Sequence, residues 1–193
     1  MSKQNKESKE KSMIDSLELL LTRQSNACLT EPAPTKNDLD LILKAGMRVP
    51  DHGRLMPWHF LIITGQGLQK LGDIFAQTVD QSDENKREKI KNKPFRAPLI
   101  IVISTEYKSH EKVPKQEQLI TAGCCAHAMQ MAAFSLGYGA MWRTGSLAYN
   151  QDVKKGLSID SQEDIVGFLY LGTPSKALYG KATKLYSDKV SYL

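Results

Sequence analysis

Apolar residues recur at helical spacing near the start of the chain. Ile14, Leu17, Leu20 and Leu21 share one face and predict a helix from about Met13 to Arg23. The two-proline stretch "EPAPT" then turns the chain. Thr35, three residues ahead of Asp38, has the spacing of a capping box. Leu39, Ile42, Leu43, Gly46 and Met47 line one face of the helix it would start. Val49-Pro50 ends that helix, because the residue before a proline avoids helical geometry. "WHFLIIT" predicts a strand, and residues 67–92 predict two helices, the second carrying a charge run that suits a solvated face. The continuous apolar run "APLIIVIS" (97–104) predicts a central strand covered on both faces. Pro114 to Leu136 predicts a long helix, apolar nearly all round and therefore buried on every side, either at the centre of the domain or at a subunit interface. "GYGAMWRTG" reads as a strand, Asn150 as the cap of a short helix "QDVKKGL", and "DIVGFLYLG" as the last strand. The tail beyond Thr173 has no helical pattern, yet Leu178, Tyr179, Leu185, Tyr186, Tyr192 and Leu193 make it too apolar to run free. It is expected to pack on something, such as a partner subunit.

The resulting order, α-α-β-α-α-β-α-β-α-β, by itself suggests a parallel α/β sheet. Two helices precede the first strand, so the first βα turn of a dinucleotide-binding fold is missing. Gly65-x-Gly67 and Gly137-x-Gly139 are isolated pairs that do not lead from a strand into a helix. The length of 193 residues fits one domain, from residue 13 to 193. Residues 1–12 form a charged arm that buries too little apolar surface to order itself. Four lysines and two glutamates in its first eleven residues supply +2 of the net +5, so the basic balance is a weak argument for nucleic acid. No signal-peptide core is present. The most apolar stretch, Leu119–Leu136, contains Thr121, Gly123, His127, Gln130 and Ser135, which are costly in lipid. Three cysteines, two of them adjacent, make neither a disulfide framework nor a zinc pattern and suit a reducing cytoplasm.

Candidate chemistry is sparse. There is no G-x-S-x-G elbow. Asp51 and His52 are sequence neighbours whose side chains should point apart. The four histidines form no ligand-like cluster, so no metal is expected. His127 is expected as a core histidine, and Cys124 and Cys125 as small buried residues. What stands out is three separated segments of one character: Arg23-Gln24-Ser25 past a helix end, Arg48 with His52 in "RVPDHGRLMPWH", and Trp142-Arg143-Thr144 at a strand end. Arginine grips oxyanions through a planar fork, and a hydroxyl adds a neutral donor. Three such segments at element ends suggest an anionic ligand held from several sides.

"LELLLTRQS", "LKAGMRVPDH" leading into "MPWHF", "APLIIVIS", "MQMAAFSLGYGAMWRTG" and "IVGFLYLGTP" together resemble the short bacterial branch of the flavin-dependent nitroreductases, over residues 13–174. The resemblance implies an α+β three-layer α-β-α sandwich with a mixed, largely antiparallel sheet, against the parallel sheet suggested by element order. It implies FMN as cofactor, contacted by Arg23, Gln24 and Ser25, by Arg48 and His52, and by Trp142, Arg143 and Thr144. It also implies a homodimer with the flavin at the interface, so that one subunit's His52 loop completes the other's site. NADH or NADPH would be the electron donor, matched loosely to Ala132, Ala133, Phe134, Ser135, Leu136 and Gly137. The implied reaction is a ping-pong reduction of nitroaromatic, quinone or similar electron-poor small molecules with no acid or base side chain required. Close relatives often carry a second arginine at Gln24, and the broader family commonly has asparagine and glutamine at Arg54 and Met56. A flavin carrier or sensor without enzymatic turnover is the rival reading.

Overall fold

The computed structural model describes residues 16–178, 180 and 185–193; the arm at 1–12 lies outside the described residues. Helix α1 (Ser16–Thr22) is followed by a two-residue strand β1 (Leu29–Thr30), α2 (Lys36–Gly46) and β2 (Trp58–Thr64). Then come α3 (Gln66–Ala76), α4 (Glu84–Lys91), β3 (Leu99–Thr105), α5 (Lys115–Ser135), β4 (Gly139–Arg143), α6 (Gln151–Gly156) and β5 (Ile165–Pro174).

Every strand pair among the described residues is antiparallel. β3 lies between β2 and β5, and the outer side of β5 pairs with β4 at residues 168–172 and with β1 at 173–174. The parallel sheet suggested by element order is thus corrected. An uninterrupted apolar strand records that both faces are covered, and here helices cover both faces of an antiparallel sheet. On one face Leu99, Ile101 and Ile103 pack against Ala122, Cys125, Ala126, Met129 and Ala133 of α5, with Ile42 of α2 behind. On the other, Ile100 and Val102 pack with Leu68, Leu71 and Phe75 of α3, Val153 of α6 and Phe168 of β5. The result is the three-layer α-β-α sandwich implied by the resemblance.

Local signals hold where local chemistry decides. Thr35 caps α2 by accepting from the Asp38 N–H at 3.2 Å, and Asn150 caps α6 by accepting from Asp152 and Val153. A Cβ on Gly46 would sit 3.0 Å from Met129 Cγ, so this glycine sets how closely α2 approaches α5.

On α5 the expectation for His127 fails, and of the two settings expected for the helix, the centre of the domain is the one this chain does not supply. The helix is not buried on every side: Ile120 is 59% exposed, Leu119 is partly open, and His127, expected in the core, faces solvent. Gln116, Ile120, Cys124, His127, Met131 and Ser135 form an uncovered or half-covered stripe at helical spacing. Leu17, Leu20 and Leu21 of α1 and Leu185, Tyr186 and Tyr192 of the tail are also exposed, so the expected packing of the tail is not made within this chain.

Candidate functional site

The first segment begins where α1 stops. The Arg23 N–H still donates to the Leu19 carbonyl at 3.1 Å, after which the chain runs beside β4, with the Asn26 N–H donating to the Ala140 carbonyl at 2.9 Å. Buried Asn26 accepts from the Cys28 N–H at 2.9 Å and donates to the Lys176 carbonyl at 3.3 Å, fixing the turn. The Gln130 amide of α5 donates to the Ser25 hydroxyl and to the Ala140 carbonyl, each at 3.3 Å. Arg23 is half-buried, and its Nη1 is buried without a hydrogen-bond partner among the described residues. Such a nitrogen costs about 1–3 kcal/mol or more if it stays unmet. A guanidinium in want of an acceptor, two residues from a serine hydroxyl, fits a phosphate such as that of FMN.

The second segment is a loop with unusual backbone. Gly53, Arg54 and Met56 all have positive φ, at 77°, 55° and 46°. For Arg54 and Met56 this costs roughly 1–2 kcal/mol each. Asp51 holds them in place: its carboxylate accepts from the Met56 N–H at 2.8 Å, and its carbonyl accepts from the Arg54 N–H at 3.2 Å. His52 points away from Asp51, as expected, and its Nδ1 lies 2.8 Å from Glu117 Oε2 at the start of α5. Arg48 and His52 are both exposed.

The third segment ends β4, and strand alternation divides it. Trp142 turns toward α5, reaching Gly123, and its indole N–H donates to the Val166 carbonyl at 3.1 Å. Arg143 turns to the opposite face and lies over the Tyr170 ring, 5.5 Å from its centroid. Burial pushes the Tyr170 phenol up to about 12, against the pull of Arg143 and Arg96, so it stays neutral. Thr144 is exposed at the strand end.

α5 works as a ruler for these segments. Glu117 meets His52, Thr121 meets the Pro50 carbonyl at 3.3 Å, Gly123 meets Trp142 and Gln130 meets Ser25. The 13 positions from Glu117 to Gln130 span about 20 Å of helix. Within one chain, the His52 loop and the Arg23–Ser25 segment therefore stand near opposite ends of α5.

A family model described as the nitroreductase family matches residues 20–173. The chain belongs to the nitroreductase family. It is an oxidoreductase by that membership. It is 46% identical over 163 residues to an Escherichia coli K12 protein named NAD(P)H nitroreductase YdjA, covering 83% of this chain and 89% of the relative. A Haemophilus influenzae protein named NAD(P)H nitroreductase is 35% identical over the same length, with the same coverage. Among solved structures, a nitroreductase-like protein from Bacillus cereus superposes with a TM-score of 0.82 at 26% identity, covering 92% of this chain and 95% of the other. A nitroreductase with bound FMN from Bacteroides fragilis superposes with a TM-score of 0.68 at 20% identity, covering 92% and 97%.

In this nitroreductase-family chain, Ala132–Gly137 forms the last turn and cap of α5. Gly137 takes φ 85° and donates to the Phe134 carbonyl at 3.0 Å, while the Tyr138 N–H donates to Ala133 at 2.9 Å. Ala133 is fully buried, and Ala132, Phe134 and Leu136 are partly so; Ser135 is exposed. Phe134 and Gly137 line a cavity of about 430 Å³ with Gln24, Asn26 and Lys176. The fold thus joins the first candidate segment to the candidate cosubstrate segment, which sequence spacing did not show.

Three organising residues escaped the sequence reading. Asp51 had a legible signal, an acidic side chain placed to accept from the loop that follows it. Glu117 and Gln130 had none, because each meets its partner across 65 and 105 residues of chain.

Proposed function

We propose that the protein is an FMN-dependent homodimeric enzyme that uses NADH or NADPH to reduce nitroaromatic, quinone or similar electron-poor compounds. The observation that carries this reading is the buried Nη1 of Arg23, without a hydrogen-bond partner among the described residues and two positions from Ser25, in a family whose Bacteroides fragilis member holds FMN. Arg23 and Ser25 would hold the phosphate, with the Gln130 amide orienting Ser25. Bound FMN would supply two-electron chemistry, accepting hydride from the nicotinamide and passing it to the oxidant in a ping-pong cycle. Trp142 and Thr144 would contact the flavin, and Arg48 and His52 would complete the site of the other subunit. Glu117 holds His52 in one orientation for that purpose.

The same geometry supports the proposed dimer. Donor sets near opposite ends of α5 do not close on one ligand within a chain. Two copies related by a two-fold axis across the Ile120–His127–Met131 stripe would bring the His52 end of one α5 toward the Ser25 end of the other. The exposed leucines of α1 and the apolar tail offer further surface for that contact. All three cysteines are free, in keeping with a reducing cytoplasm.

Purified protein should be yellow, release FMN on denaturation and bleach when NADH or NADPH is added without oxygen. Colourless protein that takes up no added FMN would overturn the proposal. Bound FMN that neither nicotinamide reduces would point instead to a carrier or sensor.

A further inference from the structure

The cavity on the α3 face of the sheet, at the end of β4, is not accounted for by the phosphate contacts above. It has a volume of about 320 Å³, and Lys93, Arg96, Arg143 and Thr144 stand around it with Tyr170. Lys93 and Arg96 come from the short 3-10 turn before β3, and Arg143 from β4. Among the described residues no carboxylate lines the cavity. Among the described residues none of the three cations takes part in an ion pair. Arg143 rests on Tyr170 with its Nε buried and without a hydrogen-bond partner. The three sense one another: burial, then Arg96, Arg143 and Lys89, hold the Lys93 ammonium below the usual lysine range. Lys93 and Arg143 are partly buried and Arg96 is exposed, and like charges set together disfavour one another's charged form, which a bound anion would offset.

The sheet separates this cavity from the first oxyanion position. Ala140 and Trp142 belong to the α5 face, while Met141 and Arg143 belong to the α3 face. Ser25 sits beside Ala140, three residues and about 10 Å of strand from Arg143. One phosphate cannot occupy both places. Thr144 stands at the mouth of the cavity and also belongs to the proposed flavin contact, so a group bound here lies beside the flavin rather than within it.

We infer that Lys93, Arg96 and Arg143 form a second oxyanion site, which receives the phosphate or carboxylate of a substrate that meets the flavin. The assignment to a substrate rests on the flavoenzyme reading above; the oxyanion site does not. Two sources share this chemistry: the phosphates of the dinucleotide donor, and an acidic group on the oxidant.

The test titrates pyrophosphate into the FMN-saturated full-length protein by calorimetry. One site per chain is expected, weakened by added salt. K93A/R96A should bind at least tenfold more weakly, since charge-assisted contacts are lost, whereas R23A should bind pyrophosphate as the wild type does. K93Q/R96Q, which keeps the side-chain stems, serves if the alanine variant folds poorly by circular dichroism. Absence of binding, equal binding in the double variant, or release of FMN by pyrophosphate would each overturn the site. If the protein takes up no FMN, the same titration on flavin-free protein still decides, through the contrast between K93A/R96A and R23A. Steady-state kinetics then separate the sources. In K93A/R96A, a KM raised at least fivefold for NADH, NADPH or both assigns the donor. The same rise for 4-nitrobenzoate over nitrobenzene assigns the oxidant. No rise in KM for either nicotinamide, together with none for 4-nitrobenzoate over nitrobenzene, would overturn the assignment to a substrate.

Discussion

β3 and α5 carry the longest apolar runs of the chain, and both are expected to be buried all round. The structure treats them differently. All seven residues of β3 are buried, each face covered by helices of the same chain. α5 buries only seven of its 21 residues, those facing the sheet and α2, and leaves Ile120 and His127 open on its far side. An apolar run records that something covers it, not which chain supplies the cover. β3 closes the core within the chain, whereas α5 leaves one side that the chain itself does not cover.

One isoleucine on each element separates the two kinds of burial. Ile101→Ala on β3 removes a fully buried side chain and should cost about 2–5 kcal/mol in denaturant unfolding. Ile120→Asp on α5 should leave the far-ultraviolet circular dichroism of the chain in place. It should convert the proposed dimer to monomer in sedimentation and abolish most of the proposed FMN binding. A dimeric, flavin-loaded I120D protein would show that the open stripe of α5 is simply solvated.

A second test asks whether the Ser25 end of α5 holds the phosphate. Arg23→Ala removes the unmet guanidinium and should weaken FMN binding by about 1.5–3 kcal/mol, roughly 10- to 150-fold by fluorescence titration. Folding stability should change little or rise, because the variant also removes a buried nitrogen that lacks an acceptor among the described residues. Unchanged FMN affinity would move the phosphate elsewhere.

Much of the fold was legible because its signals are local. "WHFLIIT" is β2 to the residue, and the caps at Thr35 and Asn150 act through side chains two to three positions from their targets. Strand direction was not legible from element order, since β3 pairs with residues 165–171, some 65 positions away. The three arginine-bearing segments were visible as composition. What the sequence does not reveal is that β4 sends Trp142 and Arg143 to opposite faces, or that the first and second segments stand at opposite ends of one helix. The positive φ of Arg54 and Met56 was also hidden, because glycine and asparagine are the residues that usually announce it.

The division between the two faces of β4 can itself be probed. Gly167 of β5 lies directly under the Trp142 indole, and a Cβ there would collide with the ring and crowd the Arg143 carbonyl. Gly167→Ala should therefore cost about 1–3 kcal/mol by overpacking and shift the Trp142 fluorescence, while leaving α2 and its cap intact. An unperturbed Trp142 would mean that the indole has room to move, and that its separation from Arg143 is less firmly held than the hydrogen bond to Val166 suggests.

The smallest effect belongs to the covered side of α5. Thr35 caps α2 and donates its hydroxyl to Asp38 at 2.8 Å, and Asp38 also accepts from the Tyr138 hydroxyl at 2.7 Å, just beyond the end of α5. The cap therefore joins the start of α2 to the end of α5. Thr35→Ala should cost about 1 kcal/mol, and Thr35→Ser should restore most of it, since serine keeps the oxygen that accepts from the Asp38 N–H. Because α2 packs on the side of α5 already closed by its own chain, the loss should appear in unfolding and leave dimerisation and FMN binding unchanged. A weaker dimer in T35A would mean that the two sides of α5 are coupled through its C-terminal turn, and that the open stripe depends on how α2 seats the helix.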